Sequence, residues 1–174
     1  ASAVYTGMRL GELAALRWAD VNFARRLILV KASHHGPTKS GRIRHVPILD
    51  PLLPILREWR LRNPCELVFP NRDGNMHQPC ARIFAERLAR VLDAAGFDRP
   101  PKGRNRHVIN FHSLRHTFAS HWMMRGGDLF KLQRILGHKD QTMTQRYAHL
   151  APHAFAEDFG RMSGLAPAAG AEVT

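Results

Sequence analysis

Cysteine is scarce in this sequence: Cys65 and Cys80 are the two among 174 residues. Two thiols are too few for a disulfide framework or a four-ligand zinc site, and they read as reduced thiols of a cytosolic protein. Long apolar runs are missing too. No stretch approaches the roughly 20 residues of a membrane span. The opening ASAVYTGMRL has no basic segment followed by an apolar one, so no secretory-signal pattern is read in it. It has no initiator methionine and starts in mid-pattern, so the sequence reads as a piece of a longer protein. Acidic residues are short as well, 14 against 26 basic ones, which leaves a formal charge of +12. A surplus of that size is expected where the partner is a polyanion. Nucleic acid is the leading candidate. A merely soluble basic surface is the plainer alternative, and an acidic membrane is disfavoured because no long basic amphipathic helix is evident.

What is present suits one globular domain: 44% of residues are hydrophobic, an ordinary fraction. From Arg9 to Trp18, apolar Leu10, Leu13, Ala14 and Leu16 predict a short helix entered through Thr6-Gly7. RLILV (26–30) and IRHVPI (43–48) predict two strands joined by the turn-rich ASHHGPTKSGR, a basic hairpin. PLLPILREWRLRN reads as a helix opened by Pro51, and LVFPNRDGN as a short extended piece and a turn. PCARIFAERLARVLDAAG is the cleanest helix, with Pro79 near its start, Gly96 past its end, and Ile83, Phe84, Leu88, Val91 and Leu92 on one face. A loop follows with Arg99, Lys102, Arg104 and Arg106. SLRHTFASHWMMR is a helix stopped by Gly126-Gly127, and DLFKLQRIL one capped by Asp128 and stopped by Gly137. TMTQRYAHL reads as another helix, capped by Asp140 or Thr142. HAFAEDFGRM reads as a last one, before a small-residue tail (about 164–174) expected to be mobile. The expectation is a mainly α domain with a small antiparallel β-hairpin, α+β in class.

One stretch stands apart. HSLRHTFAS puts His112 and Arg115 three residues apart on one helical face, with His116 next to Arg115. Both His112 and Arg115 donate hydrogen bonds, and a guanidinium fork can hold two oxygens of a phosphate. A core histidine beside a solvated arginine is the plain reading of that pair alone. Other residues of the same chemistry change the balance. Arg9 in TGMRLGEL starts a helix, where backbone N–H groups already favour an anion, and Glu12 follows on the same face. Lys39 sits on the hairpin turn, His138 in LGH directly past a helix end, and Tyr147 in MTQRYAHL.

The order and wording of TGMRLGELAALRWADVNF, TKSGRIRHVPI, HSLRHTFAS, LGH and TQRYAHL resemble the catalytic domain of the tyrosine recombinase (phage integrase) family, over residues 6 to about 150. The resemblance implies that family's catalytic-domain fold and a catalytic set of Arg9, Lys39, His112, Arg115, His138 and Tyr147, with Glu12 in support. It implies a site-specific recombinase or integrase that cleaves and rejoins DNA strands through a 3′-phosphotyrosine on Tyr147. Arg9, Arg115 and His138 would hold the non-bridging phosphate oxygens. His112 would take the tyrosine proton or donate to phosphate, and Lys39 would protonate the leaving oxygen. No metal or other cofactor is needed. The expected partners are double-stranded recombination sites and, on synapsed DNA, three further copies of the chain in a tetramer. The expected setting is the bacterial cytoplasm, at the nucleoid, as part of a mobile element or of a chromosome-dimer resolution system. His116 is left as a packing or supporting residue.

Residues 1–174 read as one catalytic domain, the carboxy-terminal part of a longer integrase. Neither the family's amino-terminal DNA-clamping domain nor the helix preceding the TG-R motif is evident. Arg42 and Arg44 on the hairpin, with Lys102, Arg104 and Arg106, are candidate DNA-backbone contacts. The helix with Phe155 and Phe159 packs either on its own core or on a neighbouring protomer. Three rivals remain: a zinc helix through His112 and His116, a non-catalytic helix-turn-helix DNA binder across FKLQRILGHKDQTMTQRYAHL, and a recombinase relative without activity.

Overall fold

In a computed structural model the described residues are 1–33, 36–37, 43–77, 81–97 and 109–152. Over these the chain is mainly helical with a small antiparallel sheet. The helices are α1 (Ser2–Thr6), α2 (Leu10–Ala14), α3 (Leu52–Arg62), α4 (Ala81–Ala94), α5 (Phe111–Met124), α6 (Leu129–Leu136) and α7 (Thr142–Gln145). The strands are β1 (Val21–Asn22), β2 (Leu27–Val30), β3 (Ala32–Ser33), β4 (Gly36–Pro37) and β5 (Arg44–Pro47).

The hairpin forms as the β-branched runs predict. β2 pairs antiparallel with β5 in the register Ile28↔Val46 and Val30↔Arg44, while β1 adds to the other edge of β2. Strand alternation puts Ile28, Val30 and Val46 on the buried face. These pack with Leu52 and Leu56 of α3, Phe118 of α5, and Leu132 and Leu136 of α6 in one core, which also holds the ring of Tyr147. α6 runs alongside β5, and α1 along α5. No helix among the described residues is long and apolar enough to cross a membrane.

Three expectations need correction. The helix read from Arg9 to Trp18 ends at Ala14. Beyond it the chain extends, because Leu16 and Trp18 bury alternately and pair with the piece read as extended: the Val68 N–H donates to the Leu16 carbonyl at 2.8 Å and the Trp18 N–H to that of Glu66 at 3.0 Å. A short helix, α1, does precede the TG-R motif, and Gly7 in the left-handed region (φ 62°) closes it. Finally, the helix expected through Tyr147 is a single turn, α7. The Asp140 carboxylate accepts from the Thr142 N–H, the α-helix stops at Gln145, and a 3-10 turn (Ala148–Leu150) follows. The break lets Tyr147 turn its ring inward against α5.

The other helices match. α5 is capped by Asn110, whose side chain accepts from the N–H groups of His112 and Ser113. α6 is capped by Asp128, which accepts from Lys131 at 2.7 Å. α6 ends in a Schellman motif: Gly137 is left-handed (φ 67°), the Gly137 N–H reaches the Arg134 carbonyl, and the His138 N–H reaches that of Gln133. On α4, Phe84, Leu88 and Leu92 turn inward, but Val91 is exposed. Cys65 is a free thiol. Cys80, Pro79, the side chain of Ile83, residues 153–162, expected as a last helix, and residues 164–174 lie outside the described residues.

Candidate active site

The site is assembled around a buried carboxylate. Glu12 is 2% exposed and lies in the first turn of α2. Its Oε2 accepts from the backbone N–H of Arg9 at 2.8 Å, and its Oε1 from Arg9 Nη1 at 3.1 Å. Arg44 reaches it from β5 with both arms, Nη1 to Oε1 at 2.9 Å and Nη2 to Oε2 at 2.7 Å. Burial alone would raise the Glu12 carboxyl, but the hydrogen bonds and charge of Arg44, with those of Arg9, outweigh it and hold the group below its ordinary range. Glu12 is therefore an ionised anchor that fixes where the Arg9 side chain stands.

Arg44 corrects an expectation. It is not a surface cation on the hairpin. Its guanidinium is buried, committed to Glu12 and, through Nε, to the Ile135 carbonyl at 2.8 Å. The strand period explains this: Arg44 shares the inward face with Val46, while Ile43 is 66% exposed. The pair ties α2, β5 and the end of α6 together. Gly137 has to be small there, because a Cβ would stand 2.9 Å from Arg44 Cδ.

Arg115 comes from the second turn of α5 and is 3% exposed. Its Nη1 donates to the Gly7 carbonyl at 2.6 Å and its Nη2 to the Leu136 carbonyl at 2.5 Å. The segment before α2 and the last residue of α6 thus hold the guanidinium. Burial, then the charge of Arg9, lowers Arg115 to about 10, so it stays cationic at neutral pH. Gly7 meets two demands at once. It is left-handed, and a Cβ would lie 2.6 Å from Phe118 Cδ1.

His138 follows the α6 cap. Its Nδ1 lies 2.8 Å from the buried hydroxyl of Thr144. Burial, then the charges of Arg115 and Arg9, pushes its pKa down to about 4, so the imidazole is neutral at pH 7. The Thr144 contact engages Nδ1 and leaves Nε2 as the ring nitrogen that can meet a ligand. Thr144 has no signal in the sequence beyond its place in TMTQ.

His112 is exposed in the first turn of α5. Burial, His116 and the two arginines Arg115 and Arg9 lower its pKa. Its ring stands edge to face against His116, centroids 4.9 Å apart. It is His116 that reaches the tyrosine: Nδ1 lies 2.5 Å from Tyr147 Oη. Tyr147 is 6% exposed, and burial raises its pKa against the lowering charges of Arg146 and Arg115. Arg146, exposed beside it, also acts on His112, His116 and His138. The sequence alone points to His112 as the nearest acceptor for the Tyr147 proton; His116 occupies that position instead.

Arg9, His112, Arg115, His138 and Tyr147 thus come together from α2, α5, the end of α6 and the end of α7. The charge of Arg9 is felt at His112, Arg115 and His138. The result is a cluster of cations and imidazoles that includes a tyrosine hydroxyl, chemistry suited to a tetrahedral oxyanion. Lys39, Arg42, Lys102, Arg104 and Arg106 lie outside the described residues. No group of three or more His, Cys, Asp or Glu among the described residues is placed to hold a metal ion.

Comparison with known proteins gives the family. The family model described as "Phage integrase family" matches residues 2–153. The chain belongs to the phage integrase family. Tyrosine recombinase XerC of Xanthomonas axonopodis pv. citri is 36% identical over 149 residues, covering 83% of this chain and 43% of that protein. The catalytic domain of bacteriophage HP1 integrase superposes with a TM-score of 0.58 at 33% identity, over 95% of this chain and 82% of that one. The XerH site-specific recombinase, in its pre-cleavage complex with difH substrate, superposes with a TM-score of 0.65 at 25% identity, over 91% of this chain and 44% of that one. The chain spans less than half the length of the curated XerC relative. Membership in the phage integrase family, with α7 reduced to one turn and Tyr147 buried behind it, leaves the helix-turn-helix reading without a recognition helix.

Proposed function

We propose that this chain is the catalytic domain of a site-specific DNA recombinase, the carboxy-terminal part of a longer integrase. It cleaves and rejoins double-stranded DNA through a 3′-phosphotyrosine on Tyr147, without a metal or other cofactor. The observation that carries the reading is the grouping of Arg9, Arg115 and His138, each held by a buried partner, close enough that the charges of Arg9 and Arg115 act on His138 and that of Arg115 on Tyr147. Tyr147 Oη attacks phosphorus as the bond to the 5′-oxygen breaks. Arg9, Arg115 and the Nε2–H of His138 hold the non-bridging oxygens, and His112, exposed at the rim, donates to the same phosphate. The covalent intermediate keeps the energy of the broken bond, so a 5′-hydroxyl from a second duplex can reverse the attack and restore the tyrosine.

Lys39 is the proposed acid for the leaving 5′-oxygen, since an ammonium on a turn can donate directly. The active assembly is a tetramer on two synapsed sites, in the service of a mobile element at a bacterial nucleoid. Replacing the bridging 5′-oxygen with sulfur tests the roles, because a thiolate leaves without a proton. Lys39→Ala should cripple cleavage of the oxygen substrate and be rescued on sulfur, while Arg115→Ala stays crippled on both. Equal loss by both variants on both substrates would remove the acid role from Lys39.

A further inference from the structure

His116 is half-buried in the middle of α5, and the family resemblance gives it no role. It is nevertheless the group in direct contact with the nucleophile proposed above, Nδ1 to Tyr147 Oη at 2.5 Å. The ring centroids are 5.9 Å apart and tilted by 46°, so the contact is made through the hydroxyl and not by stacking. His112, one helical turn earlier, meets His116 ring to ring instead. We propose that His116 is the general base that takes the proton from Tyr147 when strands are cleaved, and the acid that returns it when they are rejoined.

The direction of the bond follows from the acidity of its members. A phenol is a far better proton donor than a neutral imidazole N–H, so Tyr147 donates and Nδ1 accepts. As Oη bonds to phosphorus, its proton passes to the Nδ1 lone pair, and the electron pair of the broken P–O bond leaves on the 5′-oxygen, which the acid proposed above protonates. On rejoining, the 5′-hydroxyl attacks as its proton passes back to the acid that supplied it, Oη departs, and the His116 imidazolium returns its own proton to Oη. The groups facing His116 are His112 and Arg115 on its own helix, and Arg146 and Tyr147 at the end of α7. Burial, then the charges of Arg146 and Arg115, lowers its pKa, so the ring is neutral and ready to accept at pH 7. The imidazolium formed among those cations is offset by the phosphate they surround. Tyr147 needs such an acceptor because burial raises its own pKa.

The inference rests on the recombinase reading, and one experiment separates the two. The 174-residue chain, His116→Ala and His116→Gln are incubated with a duplex pool randomised around a nick, and covalent adduct is followed in a denaturing gel from pH 5 to 9. Glutamine can accept a hydrogen bond from the phenol but cannot take its proton. The expected result is a loss of roughly 100-fold or more in both variants at pH 7, the lower range of general-base contributions. The wild-type rate should fall on acidification, that fall should be absent from both variants, and added imidazole should restore part of the His116→Ala rate. Should His116→Ala fail to fold by circular dichroism, His116→Gln carries the test. Adduct formation by either variant at the wild-type rate or faster would overturn the inference alone, leaving His116 as a residue that merely holds the tyrosine. Absence of adduct from the wild type would overturn the recombinase reading, and the inference with it.

Discussion

Glu12 shows how much of this site depends on a residue that never meets substrate. One buried carboxylate holds the Arg9 backbone, the Arg9 side chain and the whole fork of Arg44. Removing one member of a buried ion pair strands the other without water, at about 3–5 kcal/mol. Glu12→Ala should therefore lower the urea stability of the chain by about that amount, and Arg44→Ala should do the same. A change below about 1 kcal/mol in both would mean that the pair is not buried as described. The histidines add a pH dependence. His138 is pushed down to about 4 in the folded chain, against an ordinary value of 6.5. Between those values the unfolded chain binds the proton and the folded chain does not, so stability is lost as pH falls from about 6.5 toward 4. His112 and His116 are shifted in the same direction. Denaturant midpoints measured across that range should fall on acidification, and His138→Asn should flatten the fall. A flat profile in the wild type would contradict a neutral, half-buried His138.

At the scale of elements, the ends matter more than the middles. Arg115 is held by the carbonyls of Gly7, just past α1, and Leu136, at the last residue of α6. Gly7→Ala puts a methyl 2.6 Å from Phe118 in a left-handed position, so it should destabilise by more than about 1 kcal/mol and displace one acceptor of Arg115. Gly126→Ala, whose added methyl meets nothing within 4 Å, is the control with backbone strain alone. Equal stability of the two variants would show that the close approach at Gly7 carries no cost. Element ends also separate what the sequence reveals from what it hides. α5 and α6 are legible because their caps, Asp128 and the glycines, are local and their apolar faces periodic. α7 is not, since nothing local in TMTQRYAHL says that the helix yields so that Tyr147 can turn its ring to α5. The inward turn of Arg44 is legible in principle from the alternation with Val46, but a hydrophobic Ile43 beside a basic residue invites the opposite assignment. The Glu12–Arg44 and His116–Tyr147 pairs span 32 and 31 residues, and no spacing rule reaches that far.

For the whole molecule, the surplus of charge calls for a polyanion. Arg44 is spent inside, so the cations that face outward must meet it. Lys131, Arg134 and Lys139 are exposed and line an open groove that runs past His138. Affinity for a random-sequence duplex should fall steeply with salt, and Lys131→Ala and Lys139→Ala should each reduce the log–log slope by about 0.9 for every phosphate the lysine neutralises. Slopes unchanged in both variants would place the DNA backbone elsewhere. Whether Tyr147 is the nucleophile can be read directly, because the chain has only two tyrosines, Tyr5 and Tyr147. Adduct trapped on nicked duplex is digested with nuclease and protease, and the peptide that retains a nucleotide is identified by mass spectrometry. The account predicts the nucleotide on the peptide containing Tyr147, joined through a 3′-phosphate, and no adduct from Tyr147→Phe. A nucleotide on any other residue, or adduct surviving in Tyr147→Phe, would contradict it.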